Sequence, residues 1–297
     1  MIISSVWLII FATVSSFSRG IISVIDRYQM GYRKQSSIDV NFLNNICSSV
    51  LVTFFLFYML HNFHGPKITG SYLIKVIFYA LLAQVVAFGY SYVYKKVSIM
   101  QSVILSKVTD LFIPLAIFLT MGYFSKSSYL VSIISTLIIV VYIIFEQRHN
   151  NLNLKVLLTT FAVIAPLLIA QAAFSPLLTK GIISPIDLIF FTIATIYIRC
   201  LITIITFWYK NRTFKIHGNG ISSKVTLIYG ARAILTLLAQ VTYTLATSSP
   251  NSSIAWVFLN MTSLYSVILG DLMLKEKVKF ADILVIVCIF GLALLSK

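Results

Sequence analysis

Long apolar runs recur along the whole chain, and they constrain its fold more than any other feature. We count ten runs of about 20 residues, joined by connections of 2 to 16 residues. A run of this length crosses ~30 Å of hydrocarbon as an α-helix, and a backbone in lipid must satisfy its hydrogen bonds within the segment. The sequence therefore predicts an all-α membrane protein with ten transmembrane helices. The predicted spans are Ile2–Ile25, Val40–Leu60, Tyr72–Tyr94, Val97–Thr120, Leu130–Phe145, Leu154–Leu178, Pro185–Trp208, Val225–Thr247, Ser252–Met273 and Phe280–Leu295.

The composition supports lipid as the main solvent. Of 297 residues, 59% are hydrophobic and 10% are charged, with a mean hydropathy of +0.95. A soluble protein has about a quarter of its residues charged. The net charge of +15 is concentrated in short loops, where anionic lipid headgroups hold Lys and Arg. No basic stretch is interleaved with aromatic residues, so we expect membrane lipids and not nucleic acid as partners.

The sequence offers little support for a metal, a cofactor or a catalytic centre. Cys47, Cys200 and Cys288 all fall inside apolar runs and lack paired spacing. This spacing predicts neither a disulfide framework nor a metal site. The chain has no nucleophile elbow, zinc-protease motif, phosphate-binding loop or paired carboxylates. We therefore expect a protein that is not an enzyme and has no cofactor.

An internal repeat divides the chain into residues 1–150 and 151–297. The segment SYVYKKVSIMQSVILSKVTDLFIPLAIFL, from Ser91, resembles TYTLATSSPNSSIAWVFLNMTSLYSVILG, from Thr242, at a shift of roughly 151 residues. With five spans in each half, the halves must face the membrane in opposite senses. The sequence thus predicts two inverted five-helix repeats, an arrangement that places a site at the membrane midplane between them.

The last stretch, LNMTSLYSVILGDLMLKEKVKFADILVIVCIFGLALL from Leu259 to Leu295, resembles the end of an EamA-type domain of the drug/metabolite transporter superfamily. Glu276 occupies the position of the family's glutamate in the turn between helices nine and ten, and Gly291 that of its late glycine. Pro114 lies where the family often has a mid-helix proline, and Ser125 or its neighbour stands in place of the first-half glutamate. The resemblance implies a ten-helix metabolite carrier whose tight turn at Glu276 ties helices nine and ten together near the edge of the bundle.

Two features depart from this resemblance. The small multidrug members of the superfamily use a glutamate in the first helix for proton exchange, whereas the first span here carries Arg19, which counts against a multidrug proton antiporter. The family resemblance also implies cytoplasmic termini. Fourteen Lys and Arg residues lie in or beside the loops after odd-numbered spans, against five after even-numbered spans and at the C-terminus. Since basic residues favour cytoplasmic loops, this bias predicts the opposite orientation, with both termini outside.

Charged side chains inside the spans are the main indication of function. A charge at the centre of a bilayer costs ~2.5–3.5 kcal/mol on insertion scales and persists where it faces a partner or a wet cavity. Lys107 and Asp110 are three residues apart and share one helix face. They form either a local ion pair that supports packing or a pair that faces a central cavity. Arg199 either faces such a cavity or extends its side chain to the membrane interface, and the sequence supports the two interpretations equally.

Arg19 and Arg232 have no acidic residue three or four positions away on their own helix. A guanidinium group donates two parallel hydrogen bonds to a carboxylate or phosphate, so convergence of these residues would favour an anionic or zwitterionic solute. The residues predicted to line the substrate-binding cavity are Arg19, Gln84, Tyr90, Lys107, Asp110, Arg232, Gln240, Trp256 and Asn260.

These features together predict a secondary active transporter or facilitator for a small polar metabolite, working by alternating access. Asp110 would carry a coupled proton, unless a counter-solute takes that part. The protein would be a multi-pass integral membrane protein, in the inner membrane if the cell is bacterial. A flippase for a phosphate-bearing lipid or lipid-linked sugar is the alternative, and an intramembrane enzyme or a sensor that does not transport is a third possibility.

Overall fold

We analysed a computed structural model of the chain. It describes residues 5–109, 111–122, 129–130, 133–134, 136–138, 140–142, 153–179, 181–182, 184–212, 223–247, 258–259, 261–276 and 279–295. Four residues singled out in the sequence, Asp110, Ser125, Trp256 and Asn260, lie outside these ranges.

The regular elements of the described residues are all helical. The helices are α1 (Ser5–Arg27), a π-helical turn (Tyr28–Tyr32), α2 (Ser37–Asn62), α3 (Gly70–Lys96), α4 (Ile99–Thr109), α5 (Ile113–Met121), α6 (Leu154–Thr179), α7 (Pro185–Asn211), α8 (Ser223–Thr247), α9 (Thr262–Leu274) and α10 (Phe280–Leu295).

Six of these helices are long and apolar enough to cross a membrane: α1 with its π-helical turn, α2, α3, α6, α7 and α8. This confirms the predicted all-α, multi-pass membrane protein at the level of fold class. The helices α4 and α9 are apolar but shorter. The count of ten spans stays a prediction, because parts of the fifth and ninth predicted spans lie outside the described residues.

The fourth predicted span, Val97–Thr120, is wrong as a single helix. Helix α4 ends at Thr109 and α5 begins at Ile113, and the Phe112 amide donates to the Thr109 carbonyl oxygen at 3.0 Å to close the turn between them. Pro114, in the first turn of α5, explains the break. Proline has no amide hydrogen to donate to the preceding helical turn, whereas in the first turn of a new helix this amide would have no intrahelical acceptor.

A second turn of this kind lies just before α9. There the Met261 amide donates to the Phe258 carbonyl oxygen at 3.1 Å, and α9 starts at Thr262. Phe112 and Met261, the donors of the two turns, are 149 residues apart. Both turns therefore interrupt helical segments at nearly the spacing that the sequence repeat predicts.

The packing of the helices follows a regular order. Helix α1 packs against α8 and α9, while α6 packs against α3 and against α4 and α5. Helix α2 packs against α7 and α8, and α7 packs in turn against α3. Each of these contacts between the halves thus has a counterpart in which the corresponding helices exchange places. This order is the one expected of two halves related by a pseudo-two-fold axis, although the repeat itself stays a prediction.

The bundle exposes large apolar side chains and buries polar ones within a mostly apolar core. Large hydrophobic side chains such as Phe54, Leu119 and Leu227 are 70%, 76% and 75% exposed, whereas Ser15 and Gln84 are fully buried. A soluble protein rarely exposes such an apolar surface, but lipid solvates it well. Polar side chains persist in the interior because they find partners there.

Glu276 joins the turn after α9 to the first half of the chain, and the expectation that this turn ties α9 to α10 stays a prediction. Its Oε1 accepts hydrogen bonds from Arg27 Nε at 2.8 Å and from the Tyr32 hydroxyl at 3.2 Å, and its Oε2 accepts from the Ile99 amide at 2.9 Å. Arg27 Nη1 also donates to the Tyr94 carbonyl oxygen at 2.6 Å. The turn after α9 is therefore bound to the ends of α1 and α3 and to the start of α4.

Helices α1 and α9 approach closely at Gly20. A Cβ atom at this position would lie 2.7 Å from Tyr265 Cβ and 3.2 Å from the Ser266 amide nitrogen. Neither atom is the far end of a flexible side chain, so a larger residue would push the two helices apart.

We therefore expect Gly20→Ala to lower the free energy of unfolding by about 1–3 kcal/mol through overpacking. Gly230→Ala is the matched control, because a Cβ there would meet no atom within 4 Å. It should leave stability unchanged or raise it by up to about 1 kcal/mol, since alanine favours helix over glycine. Titration of the purified protein with a denaturing detergent measures both, and equal effects would contradict this packing.

We also expect Glu276→Ala to lower the free energy of unfolding by about 2–4 kcal/mol, because it leaves the largely buried Arg27 guanidinium without its carboxylate. The Arg27 and Glu276 side chains are 16% and 13% exposed. Asp271→Ala removes an exposed acid from α9, the helix that precedes Glu276, and should change stability by less than about 0.5 kcal/mol. If thermal unfolding gives similar shifts for the two variants, Glu276 does not hold this end of the bundle together.

Candidate functional site

A cavity of about 390 Å³ lies in the middle of the bundle, with lining residues from all the helices α1–α8 and from the N-terminal part of α9. Its volume is in the range of small-molecule binding sites. Five charged side chains line it among the described residues: Arg19, Asp26, Lys107, Arg199 and Arg232.

Arg232 and Asp26 form a two-pronged ion pair across the interior. Arg232 Nε donates to Asp26 Oδ1 at 2.6 Å and Nη2 donates to Oδ2 at 2.8 Å, while Nη1 donates to the Thr236 hydroxyl oxygen at 3.1 Å. Both charged side chains are 13% exposed. The pair links α1 to α8, and it engages all three nitrogens of the Arg232 guanidinium.

Arg199 belongs to the cavity and not to the membrane interface. Its Nε donates to Gln84 Oε1 at 3.1 Å, and the same oxygen accepts from Asn45 Nδ2 at 3.0 Å. Gln84 Nε2 donates to Asn41 Oδ1 at 3.4 Å. The interpretation of Arg199 as a side chain that extends toward the interface is therefore wrong, because hydrogen bonds from α2 and α3 hold it inside.

Gln84, predicted to line the cavity, lies behind it instead. The residue is fully buried and is not part of the described cavity lining. Its amide connects Asn41 and Asn45 of α2 to Arg199 of α7. The structure thus gives Gln84 a positioning role, because its hydrogen bond with Nε holds the Arg199 side chain at the cavity.

Arg19 lines the cavity as predicted, and its guanidinium carbon lies 4.1 Å from the centre of the Tyr243 ring. This cation–π contact stabilises the charge without engaging its N–H groups. Within the described part of the chain, the guanidinium donates no hydrogen bond. Arg19 is therefore the side chain best able to bind an anion in the cavity.

Lys107, Tyr90 and Gln240 also line the cavity, as the sequence predicts. The Tyr90 hydroxyl is 3.2 Å from the Ser106 hydroxyl oxygen, and its ring stacks on that of Tyr94. Lys107 is 8% exposed and makes a further interaction of its own, so we do not count it among the groups available to a solute.

Three predicted lining residues, Asp110, Trp256 and Asn260, lie outside the described residues. The predicted pair of Lys107 with Asp110 therefore stays a prediction. What the structure adds is a different acid: within the described ranges, the carboxylate that lines the cavity is that of Asp26.

Sequence reasoning missed Asp26 because the first predicted span ends at Ile25. Helix α1 runs on to Arg27, and the π-helical turn carries the helical backbone to Tyr32, so Asp26 lies within the bundle. Its partner is more than two hundred residues away in sequence, and no local pattern connects the two. Tyr79 and Tyr243 were missed too, since tyrosines in apolar spans usually pack without binding a ligand.

The charges of the cavity suit an anion. Arg19 and Arg232 are close enough to Arg199 for electrostatic interaction, and Asp26 is the carboxylate that opposes them. The described residues contain no group of three or more side chains able to hold a metal ion. A cavity with excess positive charge and tyrosine rings can bind a carboxylate or phosphate through guanidinium groups and pack its organic body on aromatic surfaces.

Comparison with known proteins does not identify a family. No protein-family model matches the sequence, and no curated protein is significantly similar to it. The resemblance to EamA-type transporters therefore stays a prediction.

We expect Gln84→Leu to lower the free energy of unfolding by about 2–4 kcal/mol, because it leaves Nε of Arg199 and the amides of Asn41 and Asn45 without their partner. Gln240→Leu is the matched control. The Gln240 side chain makes no hydrogen bond to another described residue, so its loss should change stability by less than about 0.5 kcal/mol. Chemical denaturation of the two variants and of Arg199→Leu measures the free energy of unfolding of each. Additive effects of Gln84→Leu and Arg199→Leu would exclude the positioning role.

Proposed function

We propose that the protein is a secondary transporter or facilitator that moves a small polar anion, or a zwitterion with a carboxylate or phosphate, across a membrane by alternating access. The observation that carries this proposal is the presence of Arg19 and Arg199 at a central cavity. Their remaining N–H groups have no hydrogen-bond acceptor within the described residues.

The physical argument is the high cost of a buried charge without a partner. A guanidinium group in a low-dielectric interior needs hydrogen-bond acceptors or a counter-charge, or else water has to solvate it. Arg232 has both in Asp26 and Thr236. Arg19 and Arg199 have fewer such partners, so a solute carboxylate or phosphate that enters the cavity supplies the missing hydrogen-bond acceptors and negative charge.

The architecture supports transport over a purely structural role. The cavity lies where helices of the first half meet helices of the second, and the two helix-interrupting turns, at Phe112 and Met261, lie close to the cavity-lining residues Ile113 and Thr262. Carriers built from inverted repeats use such interruptions beside a midplane site, and rocking of one half against the other exposes the site to each side in turn.

Energy for the cycle would come from a gradient of the solute, of protons or of a counter-solute. The cytoplasmic side is expected to be the end that carries Arg27 and Lys96, following the bias of basic residues. In a bacterium, the protein would act in the inner membrane.

A test of charge selectivity uses two probes of the same length and opposite charge, succinate and 1,4-diaminobutane. We expect succinate to raise the melting temperature of the purified protein and the diamine not to do so. Arg19→Gln and Arg199→Gln should each weaken succinate binding about tenfold or more, because each removes a guanidinium that faces the cavity.

Lys95→Gln is the control, because it removes one positive charge from an exposed position outside the cavity lining. Succinate binding should be unaffected by it. Stabilisation by the diamine alone would overturn the proposal of an anion carrier. If labelled phospholipid crosses reconstituted vesicles faster while succinate does not, the alternative of a lipid flippase takes its place.

A further inference from the structure

We propose that Asp26 sets the charge of the solute that this cavity accepts, so that the wild-type cavity selects doubly charged anions. The inference rests on the proposed function, since it concerns the same cavity and the same class of solute. It depends on the observation that the three arginines of the cavity are engaged to very different degrees.

Each nitrogen of the Arg232 guanidinium already donates a hydrogen bond, and its charge is matched by the Asp26 carboxylate. Asp26 occupies two of its nitrogens and Thr236 the third. An ion pair of this geometry is a bidentate match of planar groups, which is among the strongest arrangements open to arginine. An incoming carboxylate would have to displace Asp26 to gain the same contacts, and the displaced carboxylate would then lie buried without its partner.

Arg199 and Arg19 are engaged less. Arg199 donates through Nε to Gln84, which leaves its two terminal nitrogens without a hydrogen-bond acceptor among the described residues. Among the described residues, the face of the Tyr243 ring is the one partner of the Arg19 guanidinium. Because Gln84 and Tyr243 are both uncharged, the full positive charge of each guanidinium remains.

Among the described lining residues other than Lys107, three guanidinium groups and one carboxylate leave a net charge of +2, with Arg19 and Arg199 as its source. The proposal takes the charge of Lys107 to be neutralised by Asp110, the partner that the sequence predicts for it. In a low-dielectric interior each uncompensated unit of charge is costly, so the ion that binds best is the one that neutralises the cavity. The balance favours a dicarboxylate or a phosphate monoester dianion over a monoanion or a trianion.

The test measures how variants whose cavity charge differs in steps of one unit bind probes whose charge also differs in steps of one unit. The probes are butyrate, succinate and propane-1,2,3-tricarboxylate, all fully ionised and at constant ionic strength. Binding to the purified protein in detergent is measured by calorimetry. Wild-type protein should bind succinate at least about tenfold more tightly than either of the other two.

Each variant moves the preferred probe by one charge. Asp26→Asn releases Arg232 and should move the preference to the tricarboxylate. Arg232→Gln leaves Asp26 to oppose Arg19 and Arg199 and should move the preference to butyrate. The double variant Asp26→Asn/Arg232→Gln removes both charges and should return the preference to succinate, even if its affinity is lower. In each case the ratio of dissociation constants should change about tenfold.

The outcomes separate this inference from the proposed function. If no anion binds the wild-type protein, the proposed function fails. If succinate binds but the tricarboxylate binds equally well or more tightly, Asp26 does not set the charge and the proposed function stands. If the single variants do not fold, the wild-type protein and the double variant still test the inference, because it requires both to bind succinate more tightly than the other two probes. An unchanged preference in a folded Asp26→Asn protein also overturns the inference.

Discussion

The ion pair between Asp26 and Arg232 holds the interior of this protein together electrostatically. Two charges placed in a low-dielectric bundle each lose several kcal/mol of hydration, and only close, well-aligned contacts recover that cost. The distances of 2.6 and 2.8 Å meet this requirement. Because Asp26 belongs to α1 and Arg232 to α8, the pair also fixes the contact between helices that lie on opposite sides of the predicted repeat boundary.

The amide network beside this pair determines what the cavity can bind. Asn41, Asn45 and Gln84 form a chain of side-chain hydrogen bonds from α2 and α3 that ends on Nε of Arg199. Fully connected polar networks in an interior are rigid, since any broken bond leaves a buried group unsatisfied. The network thus presents a guanidinium to the cavity in one orientation. Arg19, which rests on the Tyr243 ring, supplies the second positive group from α1.

A second ionic cluster closes the basic end of the bundle. Glu276 binds Arg27, Tyr32 and the start of α4, so the turn after α9 is joined to elements of the first half. Helix α1 carries both Asp26, which lines the cavity, and Arg27, which binds Glu276 at this end of the bundle.

The helical fold could be predicted largely from the sequence, whereas the site could be predicted only in part. The span Phe280–Leu295 agrees with α10 at both ends, and Val40–Leu60 differs from α2 by a few residues at each end. The break in the fourth span was not predicted, although Pro114 was noted, because proline bends some membrane helices and interrupts others. Five of the residues predicted for the site line the cavity, and their binding of a substrate stays a prediction: Arg19, Tyr90, Lys107, Arg232 and Gln240.

The sequence by itself determined that the chain lies in lipid, that it is helical, and that several arginines are buried at a cost that requires partners. These properties follow from the length and polarity of each segment, which are local. Only the tertiary structure decided which partner each charge has. The contacts of Arg232 with Asp26 and of Arg199 with Gln84 join residues far apart in sequence. Helix packing brings them together, and packing depends on the shapes of all the faces at once.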